Sequence, residues 1–141
     1  MRKILINLLL ILSLNTSAQE ILSLKDRAEV IMKLQKDRLD NLLPSIMQKN
    51  DIDMWVLMTR EYNEDPVIKT MLPPTWLNAR RRTILVFSKT ENGIDPVAIS
   101  RYNFGKNIRS IWNKEQQPNQ WQALSDYIVS KNPQKIGVNM S

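Results

Sequence analysis

The stretch Asp53–Ser88, DMWVLMTREYNEDPVIKTMLPPTWLNARRRTILVFS, decides how the chain is read. Two apolar runs, Met54–Met58 and Thr83–Phe87, bracket a long segment rich in charge, proline and aromatic residues. Met54–Met58 lacks polar alternation, which suits a central strand covered on both faces. Thr83–Ser88 is β-branched and aromatic, which favours extended structure. Between them, Asp65-Pro66 is the pattern of an N-cap followed by a first helical residue, predicting a short helix from Pro66 to about Met71 that Pro73-Pro74 stops. Structureless loops this long are uncommon in compact domains, so the segment is either a functional loop or a costly ornament.

Outward from this stretch, the preceding region reads as an amphipathic helix starting near Leu24 behind the N-cap Ser23, with Asp26 favoured in its first turn. Ala28, Met32, Leu39, Leu42 and Ile46 form its apolar stripe, widened by Ile31 and Leu43, with Gln35 as the one polar break. Its polar face mixes both signs, so core packing outranks a membrane-surface or partner-binding role. Pro44 is expected to kink or restart the helix, and Asn50 to close it in a left-handed conformation. On the other side, Asn92-Gly93 signals a turn and Pro96–Ser100 a returning antiparallel strand, across a loop longer than two residues. A helix from about Pro118 to Lys131, with Trp121, Leu124 and Ile128 on one face, ends at Asn132-Pro133. Lys135–Met140 is a last strand candidate. The order of helix, strand, short helix, hairpin, helix and strand predicts an α/β fold with a mixed β-sheet flanked by helices. The final strand-like run stops one residue after Met140, and the expectation is a C-terminally truncated domain whose parent continues.

The N-terminus reads as an export signal over residues 1–18: Arg2 and Lys3, then an apolar run from Ile4 to Leu14, then the small residues Thr16-Ser17-Ala18 at a cleavage site. The run is too short for a spanning helix, which needs about 20 apolar residues. The exported chain, periplasmic or secreted, would then be the domain 19–141, with 18 basic and 14 acidic side chains and a surplus of +4. That surplus is modest and does not call for nucleic acid, and no membrane contact is expected after cleavage. A hydrophobic fraction of 43% and a charged fraction of 24% are those of a globular domain.

The sharpest exclusion is chemical. The chain has no histidine and no cysteine. Serine–histidine triads, histidine-containing zinc sites, thiolate ligands, thiol nucleophiles and disulfides are therefore impossible within it. Glu61, Glu64 and Asp65 beside Arg60 and Tyr62 invite a hard-cation site, but their spacing fits no calcium loop, and helix capping and surface ion pairs explain them better. Arg80-Arg81-Arg82 could recognise carboxylates through arginine's bidentate fork. A phosphate or nucleic-acid reading is weaker, because three arginines are fewer than the usual basic clusters and alternation at a strand entrance sends at least one to the opposite face. Simple surface charge also outranks the carboxylate role. Trp55 and Trp121 read as core, and Trp76 and Trp112, in irregular segments, as interface candidates.

The helix with Arg38-Leu39 and Leu42, the link Asn50-Asp51-Ile52-Asp53, the run MWVLMTREYNEDPVIKTMLPPTWLNARRRTILVF and the final IGVNMS resemble the N-terminal domain of creatinase/prolidase-type proteins, in particular exported bacterial Xaa-Pro aminopeptidase-like proteins. The resemblance covers essentially all of residues 19–141. It implies an α/β sandwich around a mixed sheet that is itself non-catalytic and helps shape the substrate cleft and subunit contacts. The chemistry of such proteins belongs to a following pita-bread domain, in which two aspartates, one histidine and two glutamates hold two divalent metal ions of the Mn, Zn or Co type. This chain is expected to carry no cofactor and no catalytic or metal-binding residue of its own. Arg60, Glu61, Tyr62, Trp76, Arg80 and Arg81 are the candidates for a cleft or interface. The implied partners are the downstream catalytic domain of the same parent, a peptide substrate reached through that parent, and further copies in a homo-oligomer. The alternative is a stand-alone periplasmic binding or interaction module without enzymatic activity.

Overall fold

A computed structural model describes residues 21–140. The first long helix begins as α1 (Leu24–Asp37), passes through one wide π turn (Arg38–Leu42) and continues as α2 (Leu43–Lys49). Then follow β1 (Met54–Arg60), α3 (Pro66–Met71), β2 (Arg82–Thr90), β3 (Gly93–Ile99), the two-residue β4 (Arg109–Ser110), α4 (Gln120–Lys131) and β5 (Ile136–Val138). The five strands form one open sheet in the order β4-β3-β2-β1-β5. The β1–β2 and β2–β3 pairs are antiparallel, and β1–β5 and β3–β4 are parallel, so the sheet is mixed.

Alternation along the strands divides the core in two. Leu57, Leu85, Phe87 and Ala98 face the α1–α2 helix and α3, meeting Leu39, Leu43, Met47, Ile68 and Met71. Met54, Val56, Ile84, Val86, Val97 and Ile99 face α4, where Leu124 is buried among them. β1 and β2 are thus apolar on both faces, because each face carries its own helical layer. That is the α/β arrangement expected from the order of elements.

The π turn revises the reading of the first helix. Its buried seam is Gln35, Leu39, Leu43 and Met47, whereas Ile31, Leu42 and Ile46, expected on the stripe, are exposed. Four-residue steps overshoot a 3.6-residue turn by about 40°, and a stretch of wider turn absorbs the overshoot. The Leu43 N–H donates to Arg38 O, five residues back. Pro44 follows directly in the first turn of α2, so the regular helix restarts at the proline as expected, where the missing N–H costs least. Gln35 is no break in the stripe. Its fully buried amide donates to Met71 O and accepts from Asn107 Nδ2 at 3.0 Å, joining the helix to the end of α3 and to a loop.

Three further expectations change in detail. The left-handed residue after α2 is Asp51 (φ 54°), not Asn50 (φ −100°). The β2–β3 hairpin has a two-residue loop, Glu91-Asn92, because Thr90 pairs with Gly93, whose φ of 127° suits a residue without Cβ. The last helix starts at Gln120, capped by Asn119 Oδ1, rather than near Pro118. Asp65 does cap α3, accepting from Val67 N–H at 2.7 Å.

The C-terminal strand is tied down. Asn139 Oδ1 accepts from Met58 N–H at 2.8 Å, and its Nδ2 donates to Met58 O at 2.9 Å and to Asp65 Oδ2 at 3.2 Å. The proposed export signal lies outside the described residues. Among the described residues no helix is long and apolar enough to cross a membrane.

Candidate functional site

An open groove of about 890 Å³ lies at one end of the sheet, where β1 ends, β2 begins and β3 ends. Antiparallel pairing brings these termini together: Arg60 is opposite Arg82, and Ile84 is opposite Ile99. Five arginines line it, namely Arg60, Arg80, Arg81, Arg82 and Arg101, with Glu61 as the one acidic side chain in the lining.

The loop before β2 forms one wall and is held firmly. Buried Ala79 anchors it to the core, and Ala79 N–H donates to Glu64 Oε1. Trp76 packs edge-on against buried Phe104 with ring centroids 4.9 Å apart. Arg80 then lies 4.9 Å from the Trp76 ring and 5.8 Å from that of Tyr102, a cation–π arrangement on both. Arg82 lies 4.8 Å from the ring of Trp121. Trp121 is consequently 48% exposed, so it is not the core residue its helical spacing suggested.

The three consecutive arginines share the groove, contrary to the expectation that strand alternation would divide them. Arg81 has φ 51°, a left-handed conformation that breaks alternation, and β2 starts only at Arg82. Arg81 is fixed there by Glu61: Glu61 N–H donates to Arg81 O at 2.7 Å, and Arg81 N–H donates to Glu61 Oε2 at 3.3 Å.

Polar groups beneath the arginines are already engaged. Gln120 Nε2 donates to Ile99 O at 2.6 Å and to Arg82 O at 3.2 Å, stitching α4 to the ends of β2 and β3. Thr83 Oγ1 donates to Arg80 O, and Ser100 Oγ to Tyr102 O. Trp112 Nε1 donates to Gln117 O at 2.7 Å. The guanidinium groups differ. Among the described residues, no salt bridge and no side-chain hydrogen bond from Arg60, Arg80, Arg81, Arg82 or Arg101 satisfies them.

Of the residues singled out from sequence, Arg60, Glu61, Trp76, Arg80 and Arg81 line this groove. Tyr62 does not. It sits in the tight turn closing β1, with φ 68° and 89% exposure. Arg101 and Tyr102 were missed, although the hairpin signal carried their position: a strand returning beside β2 must end where β2 begins.

The acidic cluster is used structurally. Glu64 binds Ala79 and approaches Lys69 at 3.8 Å, Asp65 caps α3, and Glu61 holds Arg81. Among the described residues no group of three or more acidic side chains is placed to hold a metal ion. With no histidine in the chain, its donor set does not fit the two-metal centre that the resemblance implies for a following domain.

A separate charged cluster lies at the other end of β3. Asp95 accepts from Arg109 at 2.8 Å, from Lys131 at 3.1 Å and from Tyr127 Oη at 3.3 Å. Burial opposes ionisation of Asp95, but the bonds from Arg109 and Lys131 outweigh it and hold the carboxyl below its usual range. Burial pushes the Tyr127 hydroxyl up.

No protein-family model matches the chain, and no curated protein or solved structure matches it either.

Proposed function

We propose that residues 19–141 form the non-catalytic N-terminal domain of an exported, metal-dependent Xaa-Pro aminopeptidase-like protein, creatinase N-terminal-like in fold, that narrows and charges the entrance to a catalytic site carried elsewhere. The observation that supports this reading best is the origin of the groove. Arg60, Glu61, Trp76, Arg80 and Arg81, all within the stretch that bears the resemblance, line one open cleft. The mixed sheet between two helical layers agrees with such a domain at the level of its α/β class. Exposed Ile31 and Leu34 on α1, which line a second groove with Leu77 at 98% exposure, suit contacts with a second subunit or a neighbouring domain.

The test compares the 141-residue chain with the longer parent proposed for it. The 141-residue chain should not hydrolyse Xaa-Pro peptides with Mn²⁺, Zn²⁺ or Co²⁺ present. The full-length product should do so, and substituting Arg80 in it should raise KM more than it lowers kcat. Hydrolysis by the short chain, or an inert full-length product, would sink the proposal.

One observation favours the second reading, a stand-alone binding module. Asn139 secures β5 through both backbone groups of Met58, as in a domain that closes on itself. This reading predicts a monomeric, cooperatively melting chain, whereas the first predicts self-association through the apolar side of α1.

A further inference from the structure

We infer that the arginine groove is a binding site for a multiply charged oxyanion, carboxylate or phosphate. Five arginines line one cleft with a single acidic residue among the lining, and among the described residues none of the five is neutralised by a salt bridge. Like charges gathered this way repel one another, and the arrangement offers several unspent donor forks in one place.

The forks are also oriented in advance. Stacking on Trp76 and Tyr102 positions Arg80 without consuming its N–H donors, and Trp121 does the same for Arg82. The Trp76 ring is itself seated on the core residue Phe104. Side chains that start in place lose less freedom when a ligand arrives, which is how preorganisation raises affinity. The neutral polar groups of the lining are largely engaged with backbone carbonyls, so recognition falls to the arginines, and a ligand is selected by its charge. A volume of about 890 Å³ accommodates a short acidic peptide or a phosphate ester. The inference rests on the proposed function only for what delivers the ligand; anion binding belongs to this chain alone.

The experiment titrates the full chain with two probes, triglutamate and inorganic pyrophosphate, at low and at physiological ionic strength, following tryptophan fluorescence and heat. Saturation by either at one per chain, weakened by added salt, is expected. Binding of triglutamate alone identifies carboxylates as the ligand class, and binding of pyrophosphate alone identifies phosphates. Arg80→Gln and Arg101→Gln should each weaken binding about tenfold or more, while Lys36→Gln on the outer face of α1 leaves it unchanged. If Arg80→Gln lowers the melting temperature, exposed Arg101→Gln carries the comparison. Failure of both probes to bind at low salt, or equal loss in Lys36→Gln, would overturn the inference. Either outcome leaves the peptidase assays above unaffected.

Discussion

Glu61 and Arg81 are joined by reciprocal hydrogen bonds, Glu61 N–H to Arg81 O at 2.7 Å and Arg81 N–H to Glu61 Oε2 at 3.3 Å. This contact carries the strand pairing one step past Arg60 and Arg82 and holds Arg81 in the left-handed region, so three successive arginines address one cleft. Without it, β2 would be free to begin earlier and turn Arg81 away from its neighbours.

Arg81 can therefore be replaced by glycine at little cost to the fold. Arg81→Gly exchanges backbone strain for chain entropy and should change stability by less than about 1 kcal/mol. Arg81→Val, a β-branched residue forced to positive φ, should cost about 1–2 kcal/mol. Urea unfolding of both variants measures the difference, and equal stability would contradict the account of this turn.

Gln35 sits at zero exposure between Met71 O and the Asn107 amide. Gln35→Leu should destabilise the chain by about 1–3 kcal/mol despite adding apolar surface, because it leaves buried polar groups unpaired. A rise in stability would show that the amide is a tolerated defect.

Asn139 should matter more than its place near the C-terminus suggests. Asn139→Ala frees both backbone groups of Met58 and one contact of the Asp65 cap, at a cost of about 1–3 kcal/mol. Hydrogen exchange should show the loss first at β5 and the end of β1.

The Asp95 cluster predicts an acid-sensitive contribution. Its folded-state pKa lies below the unfolded value, so the stabilisation is complete above about pH 4 and is lost as pH falls through the folded value. Asp95→Asn should lower stability at neutral pH and flatten the decline below pH 4, as read from thermal melts across that range. An unchanged acid limb would contradict the assignment.

Much of the architecture was legible because local signals agreed with the tertiary outcome. Asp65-Pro66 marked α3, the apolar runs marked β1 and β2, and Asn92-Gly93 marked the hairpin. What escaped depends on contacts distant in sequence. Gln35 looks like a fault in an apolar stripe until Met71 and Asn107 arrive to bind it. The π turn arises from packing a four-residue seam and is invisible to a fixed helical period. Trp121 has the spacing of a core residue, yet it serves as a platform for Arg82. Of the groove, Arg60, Glu61, Trp76 and the run Arg80–Arg82 were visible in the sequence; Arg101 and Tyr102 join it only through the pairing of β2 with β3.

The proposed role for this domain is to serve a catalytic neighbour. The most direct test is to read the gene beyond the codon for Ser141. An open frame is expected to continue into a region that supplies two aspartates, one histidine and two glutamates for a two-metal centre. A stop codon at that point, or a continuation without those five ligands, would contradict it.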